Sequence, residues 1–158
     1  MKFNGRLQAN FLGHGPYEKK IKYRWELTAP LSFTFDSTEE DYQLLKNLGL
    51  EKTNSLSRSG KLTTVTCPKG FITDLGSISR GAWFIISPWD IARAAVIHDL
   101  LYKTLRLEKS NIEDFKRTKE LADIIFKKAM ETADPKIPNW KIEICYRAVK
   151  FFGKYTFE

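Results

Sequence analysis

Ile91-Ala92-Arg93-Ala94-Ala95-Val96-Ile97-His98-Asp99-Leu100-Leu101-Tyr102 is an apolar, helix-compatible run that carries one of the chain's two histidines. A helix sets residues three and four apart on one face, so His98 and Tyr102 should be neighbours, with Asp99 on the flank. A second such run, Leu121-Ala122-Asp123-Ile124-Ile125-Phe126, places an acid among apolar residues. Burying an unpaired charge is costly, so Asp123 needs a partner, and His98 is the natural one. His98, Tyr102, Asp123 and Asp99 would then converge between two packed helices, a site suited to activating water.

The stretch between these runs is short enough to make them an antiparallel pair. The first helix is expected over about residues 90–104, capped by Ser87 or Asp90, burying Ala94, Ile97, His98, Leu101 and Tyr102. The second is expected over about 110–133, opened by a capping box of Ser110 and Glu113 and ended by Asp134-Pro135. It offers Phe115, Leu121, Ile124, Ile125, Phe126 and Met130 to the interface. At about 1.5 Å per residue, those bounds leave His98 and Asp123 roughly 9 Å apart in height, unless irregular structure at 105–114 absorbs the difference. A third helix starts with Asn139 as cap and is stopped or interrupted by Gly153.

Upstream the chain reads as β-rich. Tyr23-Arg24-Trp25-Glu26-Leu27-Thr28 and Leu31-Ser32-Phe33-Thr34-Phe35 are strand candidates separated by Pro30. A short helix capped by Ser37 or Thr38 and carrying Tyr42, Leu44, Leu45 and Leu48 ends at Gly49. Residues 51–60 read as a loop, and Lys61-Leu62-Thr63-Thr64-Val65-Thr66-Cys67 as the clearest strand. The expected class is α+β: an antiparallel β-rich half, residues 1–75, packed on a bundle of three helices in 76–158. At 158 residues the chain predicts a single domain able to bury a core without crosslinks.

The formal charge of +7 favours anionic partners: nucleic acid, anionic lipid or an acidic protein surface. Lysines are spread along the chain, which argues against a phosphate-tracking groove. No run is long enough to span a bilayer, the first residues lack the apolar core of a signal peptide, and two cysteines make no zinc pattern. Cys67 and Cys145 read as buried thiols in a reducing compartment. The last helix sets Trp140, Ile144, Cys145, Ala148, Val149, Phe151 and Phe152 beside Lys141, Arg147, Lys150 and Lys154. It is either a core helix with a solvated face or a basic amphipathic helix for an anionic membrane. Trp83-Phe84-Ile85-Ile86 with Trp89 is core or a partner patch.

Asp74 follows a strand and precedes small residues. It is expected to cap the next segment through the Ser77 or Ile78 amide, or to reach the His98 cluster as a third carboxylate, with Arg80 and Arg93 neutralising these acids.

Three blocks carry a family resemblance. Pro68-Lys69-Gly70-Phe71-Ile72-Thr73-Asp74-Leu75-Gly76-Ser77-Ile78-Ser79-Arg80, His98-Asp99-Leu100-Leu101-Tyr102 and Ala122-Asp123-Ile124-Ile125-Phe126 resemble a bacteriophage and prophage family of unassigned function. The resemblance implies phage origin, with the host cytoplasm or the virion as location and other phage proteins or an anionic lipid surface as partners. More locally, His98-Asp99-x-x-Tyr102 followed by Asp123 is similar to the helix pair of phospholipase A2 enzymes. That resemblance implies a hydrolase in which His98 is general base for water, Asp123 orients it, Tyr102 bonds Asp123, and Asp99 binds calcium. Asp74 is a further candidate ligand, and Gly13-His14-Gly15-Pro16 a candidate source of carbonyls. The position of the family's calcium loop holds Gly76-Ser77-Ile78-Ser79-Arg80-Gly81, which departs from its pattern. The alternative is a non-enzymatic tail or virion component whose polar cluster is structural; an inhibitor of a host factor is a third.

Overall fold

The computed structural model describes residues 1–14, 23–75, 86–109 and 113–153. Its strands are β1 (Lys2–Phe3), β2 (Ala9–His14), β3 (Tyr23–Leu27), β4 (Leu31–Asp36), β5 (Leu56–Ser59), β6 (Leu62–Cys67) and β7 (Ile72–Thr73). Helix α1 (Glu39–Asn47) lies among them, and α2 (Pro88–Glu108), α3 (Phe115–Met130) and α4 (Asn139–Gly153) follow. This is the expected α+β class.

Alternation along β4 and β6 shapes the first sheet, of order β1-β4-β6-β5. Leu31, Phe33 and Phe35 pair with Cys67, Val65 and Thr63, and all six are buried on one face. The opposite face carries the pairs Ser32–Thr66 and Thr34–Thr64, whose hydroxyls bond at 2.8 and 2.7 Å. A period of two explains both faces at once, because successive side chains leave a strand on opposite sides. Helix α2 packs on the apolar face, against β4 and β6.

Strand β3 does not pair with β4. It belongs to a second sheet, of order β2-β3-β7, and the chain changes sheet at Thr28–Pro30. A bulge between Phe11 and Gly13 bends β2, and Gly13 takes the positive φ of 85° there. Gly70, at φ 84°, turns the chain so that β7 returns along β3 with Thr73 opposite Trp25. This sheet matters for the site because β7 delivers Thr73 and Asp74 to the flank of α2.

Several boundaries differ from the sequence expectation. Residues 51–60 are not all loop: β5 pairs with β6 across a tight turn at Gly60. Ser57, Arg58 and Ser59 hid it, because an edge strand can stay polar while only Leu56 is buried. Helix α2 runs four residues past Thr104, to Glu108. Helix α3 starts at Phe115 with Asp114 as cap, its carboxylate accepting from the Arg117 amide at 3.1 Å. The Ser110–Glu113 box therefore does not open this helix, and Ser110 lies outside the described residues. Asn139 is the first residue of α4 rather than its cap. Thr38 does cap α1, in a reciprocal box with Asp41. Ile124, expected in the helix interface, is largely exposed. The stretches 15–16, 76–81 and 83–85, to which a carbonyl source, the loop before α2 and an aromatic patch were assigned, lie outside the described residues, as does Arg80.

Candidate functional site

Helices α2 and α3 run as neighbours, and their true bounds remove the height problem. His98 lies ten residues before the end of α2 and Asp123 eight residues after the start of α3. At about 1.5 Å per residue the two levels differ by roughly 3 Å, which side chains span easily.

His98 Nε2 lies 3.1 Å from Asp123 Oδ1. The Tyr102 hydroxyl donates to the same oxygen at 2.6 Å. Oδ2 of Asp123 accepts from Lys119 Nζ at 2.9 Å. The His98 ring is held between two aromatic rings, Tyr102 at 4.0 Å and Phe126 at 4.8 Å between centroids. Tyr102 reaches this position because it is one turn beyond His98, as is Phe126 beyond Ala122 and Asp123 on the facing helix. All four polar side chains are buried, Asp123 to within 1% of its surface. Three donors offset the desolvation of that carboxylate, which is the condition for keeping a charge inside.

The electrostatics follow from burial and bonding. Burial lowers the His98 pKa, and the Asp123 carboxylate only partly opposes it, so the imidazole is neutral near pH 7. Burial acts to raise the Asp123 pKa. The bonds from His98 and Tyr102, with Lys119 added, outweigh it and leave the carboxyl below its ordinary value. The Tyr102 hydroxyl is pushed up by burial and by the adjacent carboxylate, so it stays a donor. A neutral imidazole facing a carboxylate through Nε2 donates its one N–H there. Nδ1 is then a lone-pair acceptor, and among the described residues no group bonds it.

Asp99 is adjacent to His98 in sequence but has different partners. Consecutive helical residues diverge by about 100°, so Asp99 leaves the α2–α3 seam and faces β7. The Thr73 hydroxyl donates to Asp99 Oδ2, and Thr73 Oγ1 in turn accepts from the Leu75 amide at 3.1 Å. Asp74 contacts Asp99 through both its side chain and its backbone. Burial first, then the Asp74 charge, hold the Asp99 carboxyl well above the usual carboxylate range. Asp74 thus meets the expected cluster at its Asp99 end, while Ser77 and Ile78, whose amides it was expected to cap, lie outside the described residues. Arg93 neutralises neither: it donates to the Gly5 carbonyl at 3.3 Å and lies over the Phe3 ring.

Calcium needs six to eight oxygens. Asp99, Asp74 and Thr73 offer a beginning of such a set, but Thr73 and Asp74 already bond Asp99, whose carboxyl favours its proton. Among the described residues, no group of three or more His, Cys, Asp or Glu side chains could hold a metal ion. The described residues therefore do not complete a calcium site.

Two parts of the cluster escaped the sequence reading. Lys119 is one; its signal was the i, i+4 spacing to Asp123. Gly153, at the end of α4, is the other. A Cβ there would lie inside van der Waals contact of the Tyr102 hydroxyl and 3.1 Å from Lys119 Nζ. The end of α4 thus covers the cluster, and only glycine permits so close an approach. A cleft of about 520 Å³ opens beside α4, lined by Lys127, Glu131, Asn139, Trp140, Ile142 and Glu143, and none of the cluster residues lines it. Cys67 and Cys145 are buried free thiols.

Residues 50–149, which run from just after α1 into α4, match a family described as a protein of unknown function, DUF1353. The matched stretch contains Asp74, His98, Asp99, Tyr102, Lys119 and Asp123. No curated protein matches the chain, and no solved structure does.

Proposed function

We propose, starting from a chain that belongs to the DUF1353 family, that it is a hydrolase that uses water to cleave a carboxylic ester, with His98 as general base. One observation carries the reading: His98 is clamped to Asp123 through Nε2, with Tyr102 on the same oxygen, so Nδ1 is the free basic atom. The pattern is that implied by the resemblance to the phospholipase A2 helix pair. In the proposed reaction Nδ1 takes a proton from water as the oxygen attacks the ester carbonyl. The tetrahedral intermediate then expels the alkoxide, which leaves with the proton returned from Nδ1. Asp123 balances the imidazolium that forms between these steps, and Tyr102 and Lys119 hold Asp123. The substrate class is a lipid ester at an anionic surface, in keeping with the charge of +7. The resemblance to phage proteins adds the host cytoplasm or the virion as the place of action.

The test is hydrolysis of phospholipid and of a soluble short-chain ester, with and without calcium, beside His98→Ala. The expected result is activity that falls at least about a hundredfold in the variant while its fold persists. Calcium dependence would add an ion to the site; indifference to calcium leaves the His98–Asp123 pair acting without it.

The burial of all four polar side chains, with Gly153 against Tyr102 and Lys119, favours a second reading. In it the protein is a non-enzymatic phage component of tail or virion, and the cluster fastens α2 to α3. Two inert proteins, a lower melting temperature for His98→Ala and recovery of the chain from purified particles by mass spectrometry would support it over the first.

A further inference from the structure

Helix α4 buries one face and leaves the other without the polarity of an ordinary surface helix. Ile142 and Cys145 are buried, whereas Trp140, Phe151 and Phe152 are each more than half exposed and Ile144 more than a third. At about 100° per residue, Trp140, Ile144 and Phe151 fall within an arc of roughly 40°. They form a stripe about 16 Å long, with Phe152 beside its end. Neither sequence expectation for this helix is complete: it is packed on α3 and also presents aromatic residues outward.

Cations edge this stripe. Arg147 borders it and is exposed, Lys141 and Lys150 flank it further out, and Lys141 sits over the Trp140 ring at 5.5 Å. The one acid of the helix, Glu143, is held by Lys127 at 2.8 Å and Arg147 at 3.0 Å, so its charge is neutralised in place. Aromatic side chains with basic flanks and no unbalanced acid are the composition of a helix that lies in a membrane interface. No helix described is long and apolar enough to cross a bilayer, which fits a helix that lies along one.

We propose that the Trp140–Ile144–Phe151 stripe of α4, with Lys141, Arg147 and Lys150, is the surface that docks this protein on an anionic lipid bilayer. The proposal deepens the ester-hydrolase reading and rests on it for one link. Phe151 and Phe152 immediately precede Gly153, the residue that covers the Tyr102–Lys119 end of the cluster. Docking through α4 therefore sets the outer face of this cover at the lipid, with the helix between the bilayer and the His98 cluster.

Co-sedimentation with vesicles tests it, using phosphatidylcholine alone and phosphatidylcholine with one-third phosphatidylglycerol. Four full-length proteins are compared: wild type, His98→Ala, Trp140→Gln/Phe151→Gln and Arg147→Glu/Lys150→Glu. Wild type and His98→Ala are expected to bind the anionic vesicles equally, and at least about tenfold better than the neutral ones at low salt. The charge-reversed variant loses that preference, and the aromatic variant loses binding to both vesicles, with melting temperatures unchanged. Hydrolysis of the soluble ester stays the same in both α4 variants, so a failed hydrolase reading shows in that assay and a failed docking surface in sedimentation. Binding that ignores either α4 double variant, absence of binding, or a dimer in analytical ultracentrifugation that the variants abolish overturns the proposal.

Discussion

Two seams run along α2, and each holds an aspartate in the opposite electrostatic condition. In the seam with α3, Asp123 is surrounded by donors: His98, Tyr102 and Lys119. It stays ionised although burial works against it. In the seam with β7, Asp99 meets one hydroxyl and a second acid, Asp74, and its protonated form is favoured. Burial raises the carboxyl pKa in both places. What differs is the sign of the neighbours, and that difference decides which seam can hold a base and which holds a proton.

The comparison breaks most visibly at Asp123. Asp123→Ala removes the acceptor of three buried donors and leaves Lys119 as an uncompensated buried cation. A loss of about 3–5 kcal/mol is expected from urea denaturation, with Asp123→Asn losing less because it keeps the volume and one acceptor. A loss below about 1 kcal/mol would mean that water replaces the carboxylate freely, and the seam would then be no drier than the protein surface.

A smaller change presses on the same cluster from outside. Gly153→Ala places a methyl against the Tyr102 hydroxyl and Lys119 without altering any charge. Because Tyr102 is fixed by its bond to Asp123, it cannot turn away without losing that bond. Overpacking of this kind costs about 1–3 kcal/mol, less whatever alanine gains in helix propensity. A variant as stable as the wild type, measured by thermal melting, would show that the end of α4 does not seal the cluster.

The sequence disclosed these features unequally, for physical reasons. The α2–α3 pair was legible because an acid among Ala122, Ile124 and Ile125 demands a partner, and so few histidines limit the choice. Strands β4 and β6 were legible through their alternation, and β5 was not, because an edge strand may remain polar. Lys119 stayed hidden because a lysine on a helix ordinarily reaches solvent, and nothing local marks one whose ammonium turns inward. Gly153 read as a helix stop, since a contact made by the absence of a Cβ leaves no trace in one chain. Asp74 stayed open between a cap and a place in the His98 cluster. Its partner depends on where β7 returns along β3, a long-range pairing that residues 68–75 do not encode by themselves.

The smallest expected effect sharpens the comparison through pH. The folded His98 pKa lies below its ordinary 6.5, so the unfolded chain takes up a proton that the folded one resists. The stability due to neutral His98 is therefore full above about pH 6.5 and is lost as pH falls below it. Asp99 has the opposite sign. Its folded pKa lies above the ordinary 3.8, so its contribution is full below that pH and is lost as pH rises through the folded value. Asp99→Asn imitates the protonated acid, with an oxygen for Thr73 and an N–H for Asp74, and it leaves His98 untouched. Variant and wild type should agree near pH 4, and the variant should be more stable at pH 8 by about 0.5–1.5 kcal/mol, the worth of one hydrogen bond. Chemical denaturation across that range measures the gap. A gap that does not change with pH would mean that Asp99 holds its proton no more tightly in the folded chain than in the unfolded one, and the contrast between the two seams would then fail.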